Sequence, residues 1–167
     1  MGKKTKQALV IDEKELYNDN YDKEEFSNLI QQYQIYINGA ETNSAQRAQM
    51  NAFFITANSM LMIALGVLID STIFEVSYII YVLGEVLSWL WLFQTLNYKK
   101  LGQVKWRIVN KIEEKLAMKP YDYEWQLHKR NNPKQKSYSD IEIYIATIFI
   151  VAYPLLAILT AIFAYVL

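Results

Sequence analysis

The chain has no cysteine and only one histidine, His128, with three prolines and five glycines in 167 residues. Without cysteine there is no disulfide framework, cysteine nucleophile, thiolate zinc site or iron–sulfur cluster, and a single histidine leaves metal and triad chemistry short of parts. An excess of charge is missing too: 17 basic residues balance 17 acidic ones, which argues against a general DNA-coating protein while leaving room for local patches. The phosphate-binding loop G-x-x-x-x-G-K-[ST] and the Gly-rich dinucleotide fingerprint are both lacking, which speaks against NTP hydrolysis. No acid–base pair or nucleophile presents itself. His128 stands beside Lys129 and Arg130, its nearest upstream arginine is Arg107, and a lone loop histidine of this kind reads as solvated. We therefore expect no enzyme, no catalytic residue, no metal and no cofactor. Met1 to Lys6 is basic but runs into Val10-Ile11-Asp12 and acidic sequence, so no apolar signal-peptide core follows and targeting is expected to come from the apolar runs.

Those runs are what the chain does have. A mean hydropathy of +0.01 conceals a segregated sequence: 52–69 carries no charge, 76–96 carries only Glu85, and 143–167 carries none. Each is long enough to cross a hydrocarbon core ~30 Å thick at ~1.5 Å per helical residue. The fold class expected is an all-α membrane protein, with three transmembrane helices and cytoplasmic helical extensions.

Charge fixes the expected orientation. Six basic residues precede the first span, the turn 70–75 has none, and the other eleven lie from Lys99 to Lys136. Basic flanks stay on the cytoplasmic side. The N-terminus and the 98–140 segment are therefore expected in the cytoplasm, with the C-terminus on the far side.

Five segments follow. Residues 1–21 read as a flexible polar tail, and 22–49 as an amphipathic helix with Phe26, Leu29, Tyr33, Tyr36 and Ala40 at helical spacing, ending near Asn38-Gly39. Residues 50–97 form a transmembrane hairpin with spans over about 50–69 and 74–97. In 98–140 the stripe Leu101, Val104, Ile108, Ile112 and Leu116 extends the second span as one long helix up to Pro120, and His128 to Ser139 reads as a polar basic loop. The third span occupies 141–167, with a kink expected at Pro154 and a small-residue packing face at Ala157, Ala161 and Ala164.

Polar residues inside the spans are the candidate functional ones. Glu85 lies near the middle of the second span, where an ionised carboxylate costs ~2.5 kcal/mol or more. Tyr78, Tyr81 and Ser88 fall on its helical face. In the first span Arg47, Asn51 and Asn58 share a face that Met62 and Leu65 continue apolarly. The polar groups either line a hydrated path, with Met62 and Leu65 as a hydrophobic constriction, or act as interhelical glue. Three spans cannot enclose a pore within one small chain. A symmetric homo-oligomer, tetramer or larger, would supply the ring of helices and shelter Glu85.

The basic residues after the second span interleave with Trp106, Tyr121, Tyr123, Trp125 and Tyr138. Cations that pair with phosphates and rings that stack on bases suit a nucleotide or short oligonucleotide; anionic lipid and interfacial anchoring account for the same residues.

The series Arg47-Ala48-Gln49-Met50-Asn51-Ala52-Phe53-Phe54, Asn58, Trp89-Leu90-Trp91, Leu96-Asn97-Tyr98-Lys99-Lys100-Leu101, Lys105, Asn110-Lys111-Ile112-Glu113 and Glu124-Trp125 resembles the SLATT group of small bacterial membrane effectors of anti-phage defence, over roughly Gln46 to Leu127. The third span is not a feature of the minimal two-span version. The resemblance implies a pore that depolarises or permeabilises the inner membrane during abortive infection. It also implies a gating signal, a nucleotide or oligonucleotide made by an operon-encoded nucleotidyltransferase. On that reading Asn51, Asn58, Tyr81, Glu85 and Ser88 line or support the path, and Lys100, Arg107, Lys111, Trp125 and Arg130 contact the ligand. The alternative is a non-conducting membrane-anchored adaptor that recruits a cytoplasmic partner.

Overall fold

The structure is a computed structural model and describes residues 26–70, 74–116, 118–131 and 137–166. The tail assigned to 1–21 and the basic residues Lys134 and Lys136 lie outside the described residues. Among the described residues there are four helices: α1 (Phe26–Asp70), α2 (Phe74–Glu113), α3 (Pro120–Asn131) and α4 (Tyr138–Val166). No strand occurs among the described residues. α1, α2 and α4 are each long and apolar enough to cross a membrane.

α1 and α2 pair antiparallel along their length, and α4 packs along the apolar part of α2, so α2 is the central helix. At ~1.5 Å per residue α1 and α2 are ~68 and ~60 Å long, about twice the thickness of a hydrocarbon core. Beyond the membrane part the two therefore continue together as a helical stalk, and the short α3 leads from the stalk's end back toward α4.

The α2 seam explains this pairing. Ser77, Tyr81, Gly84, Ser88, Trp91, Thr95, Tyr98, Gly102, Lys105, Val109 and Ile112 alternate steps of four and three residues, and all are buried or half-buried. An unbroken seven-residue repeat keeps one face turned to a neighbouring helix, as in left-handed 3–4 packing. Leu29, Ala40, Asn43, Asn51, Phe54, Asn58 and Leu65 form the buried seam of α1. In α4 the buried Ser139, Ala146, Tyr153 and Thr160 follow at intervals of seven.

Four sequence expectations change. α1 runs unbroken through Asn38-Gly39, because the stalk of α2 packs on it there: Ala40 is buried, and Lys105 Nζ donates to the Gly39 carbonyl at 3.1 Å. The stalk stripe of α2 is shifted in part: Ile112 is buried as expected, but Leu101 is exposed and Val109, outside the expected stripe, is fully buried, because the seam keeps the register of the span. Pro120 opens α3 where a helix end was expected. A proline fits the first turn of a helix, whose N–H has no partner in any case, and α3 then carries His128 to Asn131 within the helix. Finally, α4 packs through Tyr153 and Thr160, while Ala161 and Ala164 face outward; the close approach is provided by Gly84 on α2. α4 is helical on both sides of Pro154.

Candidate functional site

A polar layer joins the three spanning helices near mid-membrane. Tyr153 Oη donates to Asn58 Oδ1 at 3.0 Å, Ser88 Oγ lies 3.2 Å from the same oxygen and 2.7 Å from the Gly84 carbonyl, and Asn58 Nδ2 donates to the Phe54 carbonyl at 2.9 Å. Toward one end of the helices Trp91 Nε1 donates to Asn51 Oδ1 at 2.8 Å, and about two turns toward the other the Tyr81 and Thr160 hydroxyls share a 2.6 Å hydrogen bond. Buried hydroxyls, amides and indole N–H groups need such partners in an apolar interior. Asn51, Asn58, Tyr81 and Ser88 thus act within a single copy as interhelical links. Leu65 is buried with Tyr81 and Tyr153, and Met62 packs against that cluster.

Glu85 stands apart from this layer. The stripe drawn from the sequence divides across two faces of α2, with Tyr81 and Ser88 buried inside and Tyr78 exposed outside. Glu85 is half-buried beside Trp89, whose Nε1 donates to Oε1 at 2.7 Å. Its other oxygen, Oε2, has no hydrogen-bond partner. The outward faces of all three helices carry apolar residues, among them Phe53 and Ile63 on α1, Val82 and Phe93 on α2, and Ile158 and Phe163 on α4, and Glu85 is the one half-buried carboxylate on α2 within that apolar setting.

At the stalk end of the spans, ionic contacts tie α4 to both other helices. Arg47 Nη1 donates to Ser139 Oγ at 2.6 Å and its Nε lies 3.5 Å from Glu142 Oε2; Lys99 Nζ meets Asp140 Oδ1 at 2.6 Å. Arg47 is therefore an anchor for α4 and not a continuation of a hydrated stripe.

Further along the stalk is a residue whose importance the sequence reading missed. Glu113 is fully buried. It accepts from Tyr33 Oη at 2.6 Å and from the backbone N–H groups of Tyr121 and Asp122 at 3.0 and 3.1 Å. A carboxylate at a helix N-terminus satisfies amides that have no intrahelical acceptor and complements the helix dipole. Burial, and then the Glu113 carboxylate, push the Tyr33 hydroxyl above its ordinary pKa, so it stays a donor. The available signal was an acid at the end of an apolar helix face with a proline seven residues on.

The expected ligand residues fall on two elements. Lys100 is exposed on α2, with Arg107 and Lys111 half-buried further along it, and Lys111 Nζ pairs with Glu114 at 3.0 Å. Trp125 and Arg130 are exposed on α3. There Trp125 stacks on His128 with ring centroids 6.1 Å apart, and Lys129 Nζ lies 5.9 Å from the Trp125 ring centroid. No group of His, Asp or Glu able to hold a metal ion occurs among the described residues.

Compared with known proteins, the chain matches no curated protein and no solved structure. A family model, described as the octameric membrane protein family (8xMP), does match, over residues 30–163. That range takes in all three spanning helices, the stalk and α3, and the chain belongs to the octameric membrane protein family.

Proposed function

We propose that the protein is a channel of the bacterial inner membrane, formed by eight copies around a shared hydrated axis that the outward face of α2 lines. Glu85 carries this reading. It is the one Asp, Glu, Lys or Arg in the three apolar runs, and it is half-buried in the protomer with Oε2 buried and unpartnered. Exposure to acyl chains is costly for such a group, whereas a bundle interior or water-filled cavity accommodates it. The family's octameric assembly supplies that setting.

The stalk and α3 lie in the cytoplasm on this reading, in keeping with their basic residues. Exposed Lys100, Trp125 and Arg130, with Arg107 and Lys111, receive a nucleotide or short oligonucleotide made by an operon-encoded nucleotidyltransferase. The ligand shifts the channel between conducting and closed states by binding one of them better. The SLATT-like residues between Gln46 and Leu127 support a role in anti-phage defence, in which the open channel depolarises or permeabilises the membrane of an infected cell.

Ion efflux from liposomes holding the purified protein, with and without ATP and short oligonucleotides, tests the proposal. Flux that responds to a nucleotide and changes in Glu85→Leu supports it; tight liposomes under every condition refute it. A second reading rests on the exposed apolar residues Tyr123, Trp125 and Leu127 of α3: a non-conducting adaptor that holds a cytoplasmic partner there. It requires that Glu85→Leu keep full activity in cells.

A further inference from the structure

The two oxygens of Glu85 are held unequally. Trp89, one turn along α2, fixes Oε1 through its indole N–H at 2.7 Å, while Oε2 is buried without a hydrogen-bond partner. An indole is a neutral donor, so it orients the carboxylate and leaves its charge in place. No lysine or arginine occurs within 52–69, 76–96 or 143–167, so nothing in the spans of the protein supplies a countercharge.

The buried polar side chains at that depth are engaged within the protomer. Asn58 binds Ser88 and Tyr153, and Tyr81 binds Thr160. A permeating ion would therefore meet one strongly interacting group per copy, and that group is acidic.

Resting on the channel reading above, we infer that Glu85 makes the pathway selective for small cations over anions, and that Trp89 is the positioning residue that holds its carboxylate in place through Oε1. Charged rings set the selectivity of pores. A constriction of one charge sign between low-dielectric walls raises the local counter-ion concentration ~10-fold or more and repels ions of the same sign. Eight carboxylates around one axis form such a constriction. Losing the indole N–H frees the carboxylate to leave its orientation without removing its charge, so Trp89→Phe weakens the preference and Glu85→Gln removes it.

The test is a reversal-potential measurement on the purified full chain in planar bilayers under a potassium chloride gradient. The wild type should favour potassium over chloride by ~10-fold or more. Glu85→Gln should bring that ratio close to one, and Trp89→Phe should give an intermediate value with unchanged assembly size. Because the chain has no cysteine, Glu85→Cys can be modified after assembly at that position alone. An anionic thiol reagent should restore cation preference and a cationic one should reverse it, even if Glu85→Gln fails to assemble. Current with no cation preference, or a preference unchanged in Glu85→Gln and in both modified forms, overturns the inference while leaving the channel intact. Absence of current in every form overturns the channel reading and this inference with it.

Discussion

Substitution of Gly84 by alanine tests how tightly α2 and α4 are fitted. A Cβ at this position would lie 2.6 Å from Cε2 of Tyr153 and closer still to Cζ and Cε1. The ring is rigid, fully buried, and tied at its far end to Asn58. It must withdraw, and overpacking of this kind costs about 1–3 kcal/mol. Weakening the Tyr153–Asn58 hydrogen bond adds ~0.6 kcal/mol, the average for such bonds in a membrane protein. Against this, replacing glycine by alanine inside a helix gains about 1 kcal/mol. The balance is a net loss of about 0.5–2.5 kcal/mol, read as a lower midpoint for unfolding in mixed detergent and dodecyl sulfate. Gly66 provides the control, since its added Cβ would meet nothing within 4 Å, and Gly66→Ala should not lower the midpoint. Combining Gly84→Ala with Tyr153→Leu should recover part of the loss relative to the sum of the two single changes. A Gly84→Ala protein as stable as the wild type, or strictly additive behaviour with Tyr153→Leu, refutes the packing argument.

Other substitutions separate the remaining parts of the molecule. Glu113→Ala deprives three donors of their acceptor, costing about 1–3 kcal/mol; amide exchange at Tyr121 and Asp122 should accelerate while exchange in the spans stays unchanged. Asn58→Leu leaves the hydroxyls of Ser88 and Tyr153 without their shared acceptor, so the free energy of unfolding should fall by about 1 kcal/mol, read as a lower midpoint. An unaltered midpoint would show that the polar layer contributes nothing to stability. Lys129→Ala combined with Arg130→Ala should weaken binding of a fluorescent ATP analogue by about tenfold and flatten its salt dependence. An unchanged binding curve would remove α3 from the ligand surface.

The three spans were legible because uncharged apolar runs of that length are rare outside helices that cross a bilayer. The inner face of α2 was harder to read because the usual contrast between core and surface is inverted in lipid. The seam is built from Ser77, Gly84, Ser88, Thr95 and Gly102, small and polar residues that let helices approach and link, while the apolar side chains point outward. An apolar stripe therefore puts the stalk seam at Leu101 and misses Val109, while finding Ile112. Glu85 was recognisable from its cost in an apolar run, but a face assignment by spacing alone groups it with Tyr81 and Ser88. Three- and four-residue spacings reach both sides of a helix when the stripe is wide. Glu113 is hidden in the sequence because its role depends on Tyr33, 80 residues away, and on a proline that starts one helix where it reads as the end of another.

The most direct measurement is electron cryomicroscopy of the full-length protein assembled in lipid nanodiscs. A closed ring of eight copies, with the Glu85 carboxyl groups facing a hydrated central axis and the outer faces of α1 and α4 in lipid, is the result this account predicts. A ring in which Glu85 points into acyl chains, or particles containing a single copy, would contradict it.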